Sequence, residues 1–218
     1  MLYFRYDAIV FDFDGTLVQS NKVKSWAFGK LYEDYGEEIV QQVIAYHREH
    51  EGISRFDKFR NWHEHLLHQT YTDEIGENLS RSYSQLVLDA VIQAPYVEGV
   101  LEFLESHHQH LPLFVASGTP EPELREIVAR RSMNRFFQGV YGSPETKAQI
   151  LQRILLEHQL RPERVLMVGD ALADWEGSKR AGTAFIGIQT GTNSSNSSDI
   201  ILLRNLTLLK EHLFQDIV

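Results

Sequence analysis

Two aspartates separated by one residue, Asp12 and Asp14, follow an apolar run and precede Gly15 and Thr16. A carboxylate so placed can attack phosphorus, bind a divalent cation, or pass protons. Three other polar fragments sit where apolar runs end or helical ones begin: Ala116-Ser117-Gly118, Lys147, and Gly169-Asp170 with Asp174 four residues on. Ser117 offers a hydroxyl, Gly118 a backbone N–H and Lys147 a point charge, all of them groups that bind phosphoryl oxygens. A cation at a helix start opposes the helix dipole, so Lys147 calls for a reason other than helix stability. Phosphoryl transfer is one chemistry these types can serve, since it needs an in-line nucleophile and positive charge against the equatorial oxygens. Each residue also has a plainer reading: an aspartate after a strand caps turns and helices. Among the ten histidines, His65 and His68 can share a helix face, but solvated helix surface explains them more simply than zinc.

The elements that must hold these residues are legible as alternating patterns. Ala8 to Phe13, Leu111 to Val115, Arg164 to Val168 and Thr183 to Ile188 are short apolar runs that read as buried strands. Helix-period stretches fall between and after them, near 100–108, 121–131, 147–158 and 173–181. Such alternation predicts an α/β fold, a Rossmann-like three-layer core with a parallel sheet between helices. Ligands of such sheets bind at the carboxyl ends of the strands, where the polar fragments lie. Residues 19–93 carry no strand-like run but periodic aromatics, among them Trp26, Phe28, Tyr32, Tyr35, Phe59 and Trp62. They read as an inserted helical domain with the aromatics in its core. Pro95 to Gly99 is the hinge of return, Thr192 to Ser198 an exposed loop. The expected division is 1–18 and 94–218 for the α/β core and 19–93 for the helical domain.

Composition narrows the function. The net charge of -9 repels polyanions, so no nucleic acid partner is expected. A small phosphate ester remains admissible, because a metal ion and a few cations reverse the sign locally. No apolar run approaches the roughly 20 residues that span a bilayer, and the N-terminus lacks the zones of a signal peptide. With no cysteine there is no disulfide, thiol nucleophile or zinc–thiolate site. The expectation is a cytoplasmic protein without membrane contact, monomer or homodimer, acting on a small phosphorylated metabolite.

In order and spacing, Asp12-Phe13-Asp14-Gly15-Thr16-Leu17, Ala116-Ser117-Gly118, Lys147 and Gly169-Asp170 with Asp174 resemble the four signature motifs of the haloacid dehalogenase superfamily. The resemblance covers nearly the whole chain once 19–93 is counted as a cap domain. The capped subgroup it is similar to includes phosphoglycolate phosphatases and β-phosphoglucomutases. It implies a Mg²⁺-dependent phosphatase that hydrolyses a phosphate monoester of phosphoglycolate or sugar phosphate type through an aspartyl-phosphate. It implies Asp12 as nucleophile and Asp14 as acid/base, with the turn at Gly15 swinging Asp14 toward the leaving group and Thr16 bonded within the loop. Asp12, the backbone carbonyl of Asp14 and Asp170 are implied as Mg²⁺ ligands, with Asp174 supporting the ion directly or through water. Phe13, Ser117 and Gly118 are implied phosphate contacts, and Lys147 a contact of phosphate and Asp12. The tract Gly142 to Lys147 departs from the Lys-Pro-x-Pro form of relatives. Gly52-Ile53-Ser54-Arg55 resembles their cap loop, which makes Arg55 the distal substrate contact and lets Lys58 and His63 face the cleft. Two alternatives stand: a phosphomutase, and a non-catalytic phosphate-binding module. Dehalogenation is disfavoured by Asp14, and phosphonate cleavage by the lack of a clear imine-forming lysine.

Overall fold

The computed structural model describes residues 3–189 and 200–215. In chain order its elements are β1 (Tyr3–Phe4), β2 (Ala8–Phe11), α1 (Asn21–Leu31), α2 (Glu37–Glu49), α3 (Arg55–Asn61), α4 (Asp73–Gln93), α5 (Val100–His107), β3 (Leu113–Pro120), α6 (Glu121–Arg130), β4 (Gly139–Ser143), α7 (Lys147–Glu157), β5 (Val165–Gly169), α8 (Leu172–Ala181), β6 (Ala184–Ile188), β7 (Ile201–Leu203) and β8 (Phe214–Gln215). β4-β3-β2-β5-β6-β7 form one parallel sheet, and β1 pairs with β8 in a separate antiparallel ribbon.

The apolar runs become strands because residues without polar side chains are satisfied on both faces of a covered sheet. Alternation then sorts them. Ile9, Phe11, Leu113, Val115, Leu166 and Val168 enter the larger core, with Phe103 and Leu104 of α5, Leu124 and Ile127 of α6, and Val87 and Val91 of α4. Ala8, Val10, Phe114, Ala116, Val165 and Met167 enter a second core against Ile150, Leu151 and Ile154 of α7. Helices therefore cover both faces, and the α/β three-layer architecture is as expected.

Details differ from the expectation. The first strand stops at Phe11, so Asp12 to Leu17 is loop. The second starts at Leu113 and runs to Pro120, because pairing with β4 breaks after Ala116 and resumes at Pro120 opposite Ser143. Two strands of the main sheet, β4 and β7, and the two of the ribbon, β1 and β8, carried no readable signal. β4 contains two of its five residues as glycine, and β7 is only three residues long. The loop expected at Thr192 to Ser198 lies outside the described residues.

Helices α1 to α4 fall between β2 and the rest of the sheet. Phe28 centres their aromatic core, stacked on Tyr83 at 4.2 Å and edge-on to Trp62 at 5.2 Å. Trp26 and Tyr35 are not part of that core: they are 53% and 45% exposed, because the helix turns Phe28 and Tyr32 inward instead. Among the described residues, no helix is long and apolar enough to cross a membrane.

Candidate active site

From β2 the chain steps to β3 and β4 on one side, then returns to β5, β6 and β7 on the other. The crevice at this switch of direction lies at the carboxyl ends of β2 and β5. Asp12 follows β2 and Asp170 follows β5. The loop after β2 is tight: Gly15 N–H donates to Val18 O at 2.7 Å, and Leu17 and Val18 N–H donate to Phe13 O at 2.9 and 3.1 Å. Gly15 adopts φ +81°, and a Cβ there would overlap the Asp170 carboxylate, so only glycine admits this approach. The Phe13 side chain is 1% exposed within the apolar core, which leaves only its main chain to the crevice.

Asp12, Asp170 and Asp174 each place a carboxylate oxygen within 4.8 Å of the others. Lys147 Nζ lies 2.6 Å from Asp12 Oδ1 and 2.5 Å from Asp174 Oδ1, and donates to Ala116 O at 2.8 Å. This resolves the oddity of a lysine at a helix start. The N-terminal amides of α7 are served by Thr146 and Gln149 in a reciprocal capping box, while the Lys147 charge faces two carboxylates. Asp174 is fully buried, and its Oδ2 accepts from Ala171 N at 3.1 Å. Asp170 accepts from Thr16 Oγ1 at 3.1 Å and from Asn21 Nδ2 at 3.0 Å. Thr16 thus bonds across to the β5 loop and not within its own loop, contrary to expectation.

Burial, chiefly, and then the Asp174 charge push Asp12 well above the usual carboxylate range, against the pull of Lys147. Lys147 moves up despite burial, because Asp12 and Asp174 hold its proton. Three clustered acids share one lysine in a largely buried place. An all-carboxylate donor set without histidine or thiolate suits a hard divalent cation of the Mg²⁺ type.

Asp14 points elsewhere. Lys24 Nζ lies 2.5 Å from its Oδ2, Ser20 Oγ donates to Oδ1 at 2.6 Å, and Thr119 Oγ1 donates to Oδ2 at 3.2 Å. Burial raises its pKa, but the Lys24 charge and these hydrogen bonds outweigh it and bring Asp14 below the usual range. Ser20, Asn21, Lys24 and Thr119 were not read from the sequence as site residues. One signal was available: Asn21 and Lys24 lie three apart and so share a face of α1.

The helical insertion closes the cavity that contains Asp12, Ser117 and Gly118. Contact is close enough that a Cβ on Gly118 would sit 2.6 Å from Gly52 O and 2.8 Å from Ile53 O. Arg55 lines the cavity, but its guanidinium forks onto Glu123 of α6, with Nη1–Oε2 at 2.9 Å and Nη2–Oε1 at 2.6 Å. It also donates to Ser84 Oγ and lies 4.5 Å over the Tyr83 ring. Lys58 lines the cavity as anticipated and bonds His47 Nδ1 at 2.8 Å. His63 does not face it: the ring is buried against Tyr32 and Tyr71, with Nδ1 3.0 Å from Phe59 O. His65 and His68 are exposed. His47 and Glu51 of the cavity wall, and Glu123 behind Arg55, were missed, because only tertiary packing brings them together.

Residues 9–188 match the family described as haloacid dehalogenase-like hydrolase. The chain is 25% identical over 189 residues to a phosphorylated carbohydrates phosphatase of Thermotoga maritima, covering 81% of this chain and 82% of that one. It is 26% identical over 204 residues to a phosphoglycolate phosphatase of Vibrio parahaemolyticus, covering 85% and 84%. In fold it is similar to the magnesium-bound structure of YfnB from Bacillus subtilis, with a TM-score of 0.69, 18% identity, and coverage of 96% of this chain and 99% of that one.

Proposed function

This chain belongs to the haloacid dehalogenase-like hydrolase family and is a phosphohydrolase, and from that premise we propose that it hydrolyses a small phosphate monoester, of phosphoglycolate or sugar phosphate type, through a phosphorylated Asp12. The observation that carries this reading is the cluster of Asp12, Asp170 and Asp174 oxygens within 4.8 Å, with Lys147 against it, at the switch point of the sheet. The cavity lined by Asp12, Ser117 and Gly118 is small, which supports a small metabolite as substrate. Residues 19–93 are proposed as a helical cap over the core formed by 1–18 and 94–218.

Asp12, Asp170 and the main-chain carbonyl of Asp14 would hold Mg²⁺. Asp174, already engaged by Lys147 and Ala171 N–H, suits support through water. When bound, the ion masks the Asp12 charge and neutralises the equatorial phosphoryl oxygens. Ser117 Oγ, the amides of Phe13 and Gly118, and Lys147 orient those oxygens. Asp12 then attacks phosphorus while the bond to the leaving oxygen breaks. Asp14 gives that oxygen a proton, then takes one from the water that cleaves the aspartyl-phosphate and releases phosphate. Such acid–base help contributes about 10²–10⁴-fold. Lys24 keeps Asp14 ionised, which suits the base step; for the acid step an arriving phosphate dianion favours protonation by adding negative charge.

Phosphate release from 2-phosphoglycolate, sugar phosphates and p-nitrophenyl phosphate tests the reading. We expect turnover with Mg²⁺, none after EDTA, recovery on adding the ion back, and none in Asp12→Asn at an unchanged melting temperature. Turnover by Asp12→Asn like that of wild type sinks the mechanism. Isomerisation of a sugar phosphate without phosphate release replaces hydrolase by mutase, and binding without either reaction leaves the non-catalytic module.

A further inference from the structure

Lys58 and His47 line the same cavity as Asp12 and Ser117, yet the chemistry above uses neither. We propose that they form a second anion subsite, which takes a carboxylate or second phosphate carried on the leaving group. The proposal rests on the phosphatase reading for its account of what the cavity binds.

Both side chains are deeply buried, 3% exposed for Lys58 and 4% for His47. Lys58 Nζ donates to His47 Nδ1 at 2.8 Å, which places the proton of the neutral ring on Nε2. Nε2 is buried and without a hydrogen-bond partner among the described residues. Burial, and then the Lys58 charge, keep His47 neutral, pushed down to about 2.

The other cations of the cavity and its floor are matched. Lys24 pairs with Asp14, Arg55 with Glu123, and Lys147 with Asp12 and Asp174. Among the described residues, no carboxylate comes within 4.0 Å of Lys58. Its charged surroundings are Lys24 and Arg55, which oppose its proton, and Glu51 and Asp14, which favour it; burial and Lys24 bring it down to about 7. Glu51 favours the proton of Lys58 but forms no ion pair with it within 4.0 Å, so it does not supply the missing partner.

A buried ammonium with spare donors beside an unpartnered N–H is costly unless something accepts from both. A carboxylate or phosphate brings two or more acceptor oxygens and a compensating charge. A sugar hydroxyl brings no charge and leaves that cost in place. Arg55, the residue that the cap-loop resemblance singled out, has its fork occupied by Glu123, so the pole that attracts a distal anion shifts to Lys58.

The test compares kcat and KM with Mg²⁺ for 2-phosphoglycolate, glucose 1,6-bisphosphate and p-nitrophenyl phosphate in wild type, Lys58→Met, Lys58→Arg and His47→Phe. We expect Lys58→Met to raise KM for one or both of the first two substrates at least ten-fold more than for p-nitrophenyl phosphate. Lys58→Arg should recover most of that loss, and His47→Phe should lose affinity in the same direction by a smaller factor. The more affected substrate identifies the anion as carboxylate or phosphate. Equal losses on all three substrates, or no recovery by Lys58→Arg in a folded protein, overturn the subsite. Calorimetric binding of the same three compounds in EDTA separates the two readings. Absence of turnover in every assay, with binding still weakened selectively by Lys58→Met, removes the phosphatase reading and keeps the subsite. Binding indifferent to Lys58 removes the subsite whatever the turnover.

Discussion

Lys58 is an ammonium with 3% exposure whose listening neighbours include two other cations, and its pKa of about 7 measures what that burial costs. In the unfolded chain the group titrates near 10.5. Between about 7 and 10.5 the unfolded state therefore binds more protons, and stability contributed by this group rises with pH across that window. Below about 7 both states are protonated and the whole penalty stands. Lys58→Met should accordingly stabilise the protein at pH 7, by roughly 1–2 kcal/mol once the bond lost to His47 is counted. The gain should shrink as pH approaches 10.5; urea midpoints at pH 7 and pH 10 measure it. A gain in stability with a loss of affinity is the signature of a residue kept for function. Asp14 shows the opposite arrangement at the same scale. Three donors, Ser20 before α1, Lys24 on α1 and Thr119 on β3, hold it ionised, and none of the three could be identified from the Asp-x-Asp motif alone.

At the level of elements, α7 carries Lys147 on its first residue, and its capping box fixes where that residue sits. Thr146→Ala removes the acceptor for Gln149 N–H and should cost about 1 kcal/mol, lowering Tm by about 2–4 °C. Calorimetric melting checks the size, and no change in Tm would mean that tertiary contacts alone place the helix. α7 lies against α8, where Gly177 leaves room for the Lys147 Cβ, only 2.7 Å from where a Cβ of its own would stand. This close passage brings Lys147 between Asp12 and Asp174. The short β2 and the long, interrupted β3 set the floor of the same crevice: one ends in time to turn Asp12 outward, the other carries Ser117 and Gly118 past the end of its regular pairing.

Across the whole molecule, two largely buried ion pairs among the described residues join the helical insertion to the α/β core: Lys24 of α1 on Asp14, and Arg55 of α3 on Glu123 of α6, the latter 4% and 11% exposed. Removing one partner strands the other. Glu123→Leu should cost about 3 kcal/mol, and adding Arg55→Met should recover most of it, because an apolar pair needs no counter-charge. Equal urea midpoints for Glu123→Leu and wild type would show that the Arg55–Glu123 pair contributes nothing to holding the insertion. The alternation of apolar strands and periodic helices, the four polar motifs, and the strand-poor stretch 19–93 were all legible in order along the chain, because period and residue type are local properties that burial on a sheet or helix face dictates. Asp12, Lys147, Asp170 and Asp174, expected from their motifs, are brought together by the structure. What came only from tertiary structure is the wiring between distant residues. Lys24 and Thr119 on Asp14, Asn21 on Asp170, Glu123 on Arg55 and His47 on Lys58 pair groups whose partners are set by how α1, α2, α3 and α6 pack over one crevice. No spacing in the chain encodes such a distance, because packing fixes it through the sum of many side-chain volumes and not through any one of them.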